Sequence, residues 1–232
     1  MLVSLSEIQT IIYRSALAIN LPPGIAKENS FAARRMLLEG FSSLNVFVEA
    51  FDSLRKKFSI EFDIEETAEG KFLPLDKQKK LSSLLVSPSV CDSLSLFSES
   101  NNKKVKVNKI DEPLVLLFHV LELSKKLNRG FQLTFNYGSD DSKVIVCTSN
   151  GFFKFSEKKF LVKSLKSDLV VLENFNEKNH LFKFDGVEKI KSDFFIEGEV
   201  WDYFSKYSDL LLVEDSEKSR INNAGSGLND ND

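Results

Sequence analysis

The chain has 232 residues, 42% of them hydrophobic and 28% charged, with 21 Phe, 10 Gly, 5 Pro and 2 Cys. So much aromatic and aliphatic side chain can bury a large apolar surface, which excludes a largely disordered chain, and the counts exclude a collagen-like or disulfide-stapled scaffold. The net charge of −3 lies in the last stretch: Glu214 to Asp232 holds five acids against two bases, the remainder is balanced, and a balanced body argues against a nucleic-acid binder.

Ser4 and Glu7 have capping-box spacing, and Ile8, Ile11, Ile12, Ala16 and Ile19 recur at helical period, predicting a first helix that Pro22-Pro23-Gly24 stops. A second helix is predicted from near Gly24 through Ala26, Ala32, Ala33 and Leu37, with Gly40 as its terminating glycine. A third follows Ser42 or Ser43, with Leu44, Phe47, Val48, Phe51, Leu54 and Phe58 as its apolar stripe. Residues 1–60 therefore read as a helical N-terminal region, too weakly apolar in its second helix to stand alone.

The charged stretch from Glu61 to Lys80 reads as an irregular connection, and Leu84 to Val86 before Pro88 as a short buried strand or turn. Val105 and Val107 alternate with lysines as in an edge strand, so Lys103, Lys104, Lys106 and Lys109 read as a solvated basic patch. Asp111-Glu112-Pro113 opens a helix that Lys125, Lys126 and Arg129 close with cations at its negative end.

Beyond Gly130 the period changes to two. Phe131 to Phe135, Val144 to Val146, Phe152 to Phe155, Leu169 to Leu172 and Leu181 to Phe184 are strand candidates, and Asn150-Gly151 and Asp185-Gly186 are turn signals. A last helix spans about Glu197 to Leu211, carrying Val200, Trp201, Phe204 and Tyr207. Helices, then strands, then a helix predict an α+β protein: an N-terminal bundle packed on a mostly antiparallel sheet with a C-terminal helix, residues 61–232 forming the body of one integrated domain.

The strong catalytic signatures are absent: no phosphate loop, no dinucleotide glycine motif, no HExxH and no GxSxG. With two histidines and two cysteines lacking CxxC spacing, no Cys/His zinc site and no multi-histidine metal site is expected within one chain. Cys91 and Cys147 sit in apolar runs and read as buried reduced thiols. His119, in LLFHVL, reads as a satisfied core residue or as a neutral proton carrier under a pocket; His180 reads as a loop residue. No signal peptide and no spanning segment is expected, which places the protein in the cytoplasm, away from membranes.

The ending SRINNAGSGLNDND departs from this pattern. Alternating glycine and small residues let successive N–H groups converge on an anion, Arg220 can clamp a carboxylate or phosphate, and Asp230, Asp232 and the terminal carboxylate can hold a cation or orient an amine. Glu28 and Arg35 share a helix face two turns apart, either as a surface ion pair or docking face or as part of an anion site.

The opening SLSEI…RSA…LPPGIAKENSFAARRMLLEGF, the segments LVSPSVCDSL and EPLVLLFHVLELSKKL, and above all the ending resemble a bacterial family catalogued as domain of unknown function 3726, whose members end in a tail similar to SRxxGAGAGLTDND. Ser219, Arg220, Ala224, Gly225, Gly227, Leu228, Asp230, Asn231 and Asp232 match that tail; Asn223, Ser226 and Asn229 depart from it, which puts an all-glycine anion nest in doubt. The resemblance implies an ordered, functional tail and supplies no reaction. The first two helices also bear a likeness to the start of malate/lactate-type dehydrogenases, set aside because no cofactor loop follows.

Two functions follow. The first is a protein binding a small anionic or zwitterionic metabolite through Arg220, Asn222, Gly225, Gly227, Asp230, Asn231 and Asp232, with Glu28 or Arg35 opposite; no cofactor and no catalytic residue is assigned, and whether it is an enzyme stays open. The alternative is a non-catalytic accessory protein whose helical face or tail docks on a partner enzyme, a second copy of the chain being the intermediate case.

Overall fold

The computed structural model describes residues 1–41, 44–55, 62–66, 70–76, 79–97, 104–136, 142–149, 151–154, 169–175 and 193–211. The chain is an α+β protein, as expected. Strand β1 (Leu2–Ser4) leads into helix α1 (Leu5–Ala18), followed by α2 (Pro23–Leu38) and α3 (Asn45–Arg55). Then come β2 (Phe62–Glu66), β3 (Gly70–Pro74), α4 (Ser83–Phe97), β4 (Lys104–Asn108), α5 (Pro113–Leu127), β5 (Gly130–Asn136), β6 (Ser142–Thr148), β7 (Gly151–Lys154) and β8 (Leu169–Phe175). Strand β9 (Asp193–Phe195) and α6 (Gly198–Ser208) follow, and a 3-10 turn over Asp209–Leu211 extends α6.

The local signals act where they are written. Ser4 Oγ accepts from the Glu7 amide while Glu7 Oε2 accepts from the Ser4 amide, closing the capping box. Gly40 takes φ +84°, and the Gly40 and Phe41 amides return to Leu37 and Met36 oxygens, ending α2 as a left-handed glycine cap. Pro113 stands at the start of α5 and Asn128 closes it at φ 52°.

Among the described residues seven strands form one sheet in the order β2-β3-β4-β8-β5-β6-β7; of its neighbouring pairs only β3 and β4 run parallel, and α4 makes the crossover between them. β6 and β7 meet with Thr148 opposite Gly151. A separate two-stranded ribbon pairs β1 with β9, Leu2 opposite Phe195, and ties the chain's start to the helix near its end.

Helix α5 is the centre of the molecule. Every residue from Pro113 to Leu121 is buried, because α5 lies on β5 and β6 on one side and under α2 on the other. Each fully buried Leu or Phe there contributes roughly 1.5–3 kcal/mol. The modest apolarity of α2 is explained by Ala26, Ala32 and Ala33, which are fully buried and let it approach its neighbours closely. One hydrophobic core joins Ile8 and Phe47 of the first sixty residues to Phe118, Leu133 and Leu172.

Three expectations are corrected. Leu84 to Val86 is helix, not strand: α4 buries Ser83 and Ser87 beside Leu84, Val86 and Val90, so polar and apolar positions do not separate at helical spacing. The stretch read as an irregular connection holds β2 and β3. β4 is an interior strand between β3 and β8 rather than an edge, and its Lys104 pairs with Glu173 directly opposite at 2.9 Å. β1 had no sequence signal beyond Leu2 and Val3. The candidate strand at Leu181 to Phe184, the turn at Asp185-Gly186, and Phe58 lie outside the described residues. Among the described residues no helix is long and apolar enough to cross a membrane.

Candidate functional site

Two open clefts flank α1. The first, about 350 Å³, runs between α1 and α6 and is lined by Glu7, Thr10 and Arg14 from α1 and by Trp201, Ser205 and Ser208 from α6, with Ser6, Ile11 and Asp209 completing it. The spacing explains the lining: positions 7, 10, 11 and 14 share one face of α1, and 201, 205 and 208 share one face of α6. The faces are held together underneath, where Ser15 Oγ donates to the Phe204 carbonyl at 2.7 Å. The second cleft, about 470 Å³, lies across the Ser6–Thr10 ridge and is lined by Gln9, Tyr13, Lys27 and Ser30.

Glu7 keeps an acidity stronger than an ordinary glutamate because the Ser4 amide, then the Ser4 hydroxyl, donate to it. Among the described residues neither Arg14 nor Asp209 has an ion-pair partner within 4.0 Å. The cleft therefore presents an exposed guanidinium, two carboxylates, four hydroxyls and an indole wall: a polar surface suited to holding a small charged molecule.

The tail residues Arg220, Asn222, Gly225, Gly227, Asp230, Asn231 and Asp232 lie outside the described residues, as does His180. Glu28 is exposed on α2, its acidity weakened by desolvation and then by nearby Asp92. Arg35 is buried, with Nε donating to Glu122 of α5 at 2.8 Å and Nη1 3.4 Å from Glu39. Neither lines either of the two clefts beside α1, and the Arg35 guanidinium is occupied by two carboxylates. Arg35→Ala should lower the unfolding free energy by about 3 kcal/mol in urea titration, because it leaves two carboxylates facing each other in a half-buried site.

Two buried polar groups serve the fold. Pro88 sits inside α4 and has no N–H, so the Leu84 carbonyl four residues earlier lacks its helical donor. Asn29 Nδ2 supplies that bond at 2.9 Å and also donates to the Ile25 carbonyl at 2.9 Å. Both amide hydrogens are thereby used, so Asn29 Oδ1 faces His119 Nε2 at 3.2 Å, and that nitrogen carries the hydrogen. Burial pushes His119 down to about 3, so it is neutral. Asp111 Oδ1 accepts from the amides of Ser83 (2.7 Å) and Glu112 (2.6 Å), capping the start of α4, while burial raises its pKa to about 6. The Leu81–Ile110 bridge positions it there.

Cys91 and Cys147 are buried, and desolvation raises both thiols, so they are inert. Among the described residues no group of three or more His, Cys, Asp or Glu side chains could hold a metal ion. The cleft residues Arg14, Thr10, Ser205 and Ser208 had not been singled out from sequence; their signal is a polar stripe on each of two helices, readable only once the helices are paired.

No family model matches the chain, and no curated protein sequence matches it. Among solved structures it is similar to a dehydrogenase from Sinorhizobium meliloti, with a TM-score of 0.51 at 7% identity over 90% of this chain and 68% of that one. It is also similar to sulfolactate dehydrogenase from Methanocaldococcus jannaschii (TM-score 0.47, 12% identity, 66% of this chain and 50% of that one) and to malate dehydrogenase from Entamoeba histolytica (0.46, 12%, 66% and 48%). The matches to the latter two span about half of each protein. At 7% identity the likeness to the Sinorhizobium meliloti protein is one of fold alone.

Proposed function

We propose that the protein binds a small anionic or zwitterionic metabolite in the cleft between α1 and α6, and that the C-terminal segment completes this site. The observation that carries the reading is the convergence of Arg14 and four hydroxyl side chains on a cleft that also contains Asp209, the residue at which α6 passes into its final turn. Leu211 lies two residues past the cleft residue Asp209, and a nine-residue stretch can span about 30 Å when fully extended. Arg220 and the alternating Gly225 and Gly227 would add anion donors, and Asp230 and Asp232 would face an amine. The likeness of the ending to the tails of the domain-of-unknown-function 3726 family supports a tail with a role of its own.

The test compares melting temperatures of the full chain and a chain ending at Lys218, screened against amino acids, keto acids, phosphates and divalent metals. A compound that raises the melting temperature of the full chain alone supports a tail-completed site. Equal melting with no response in either form overturns it. The accessory-protein reading would then stand, with Leu2 (71% exposed) and Phe195 (65%), cross-strand partners on the β1–β9 ribbon, as its apolar surface.

A further inference from the structure

The charges lining the cleft narrow the ligand. One guanidinium, Arg14, stands against two carboxylates, Glu7 and Asp209, a formal charge of −1. A phosphate or dicarboxylate would meet one cation and two like charges there. A bare amine would leave the guanidinium unmatched. A molecule carrying both an ammonium and a carboxylate satisfies both.

The two carboxylates are not equivalent. Glu7 Oε2 already accepts from the Ser4 amide and hydroxyl and is committed to capping α1. Asp209 caps the C-terminal end of α6, where the helix dipole favours a cation. Beside it Ser205 and Ser208 offer hydroxyls that can donate or accept. Trp201, half-buried on the same face of α6, provides a flat apolar wall.

We propose that the ligand of this cleft is a free α-amino acid with an apolar or aromatic side chain, its carboxylate on Arg14, its ammonium on Asp209 and its side chain against Trp201. The proposal rests on the reading of the cleft as a metabolite site and restricts it to zwitterions.

The experiment titrates the full chain with the standard amino acids by calorimetry, then compares the best binder with its deaminated acid and its decarboxylated amine. The amino acid should bind at least about tenfold more tightly than either analogue. Arg14→Gln should erase the advantage over the amine, and Asp209→Asn the advantage over the acid. Both positions are exposed, so the unliganded variants should melt like the parent. If the acid binds as tightly as the amino acid and Arg14→Gln abolishes both, the zwitterion is wrong and the metabolite cleft stands. If amino-acid binding survives both substitutions, the placement in this cleft is overturned. If no amino acid, acid or phosphate binds, the proposal and the metabolite reading fall together.

Discussion

Asn29→Ala should cost about 3 kcal/mol of unfolding free energy in urea, a large effect for a polar residue. The side chain is fully buried and makes three hydrogen bonds. Its loss strands the Leu84 carbonyl and the His119 Nε2–H, and each buried orphan costs about 1–3 kcal/mol. A double-mutant cycle tests the cause. Pro88→Ala restores an amide at position 88 that can bond Leu84 oxygen, so in the Pro88→Ala background Asn29→Ala should cost less by about 1 kcal/mol or more. Additive effects would show that Asn29 does not serve the helix that Pro88 interrupts.

Asp111→Asn should stabilise the protein at neutral pH, against the usual expectation for a helix-capping carboxylate. In the fold Asp111 titrates near 6, against 3.8 for a free aspartate. A group whose folded pKa is raised adds stability that is fully present below pH 3.8 and lost as pH rises through 6. The loss is about 3 kcal/mol at 1.36 kcal/mol per unit. An asparagine oxygen can still accept from the Ser83 and Glu112 amides, and its NH₂ can donate to the Ser83 hydroxyl without a buried charge. Urea unfolding at pH 7.5 should therefore find the variant about 2–3 kcal/mol more stable, the gap closing between pH 6 and pH 4. His119 acts in the opposite sense. Its depressed pKa makes stability full above 6.5 and lost as pH falls towards 3. That contribution is common to parent and variant and cancels in the difference. A variant less stable than the parent by the same amount at every pH would overturn the account.

These two networks show why part of the site was legible and part was not. His119 in an apolar run reads first as a satisfied core residue, which its burial bears out, but its partner Asn29 lies 90 positions away. Asp111 stands at the opening of α5, as the sequence predicts, yet its carboxylate also caps α4, a segment whose sequence reads as a strand or turn. Arg35 showed a correct helix face but not the Glu122 that occupies it.

The amino-acid order alone settles whatever is decided within about one turn of backbone. The Ser4–Glu7 box, the left-handed Gly40, the Pro113 start and the alternation of Phe131, Leu133 and Phe135 all act through local φ, ψ and nearest hydrogen bonds. Pairing settled the rest. The ribbon joining Leu2 to Phe195 and the bond from Ser15 to Phe204 bring together stretches almost two hundred residues apart, and only then do Arg14 and Asp209 share a cleft. Likewise the neutrality of His119 and the weak acidity of Asp111 arise from desolvation by packed neighbours, which is a property of the assembled core and is written in no local segment.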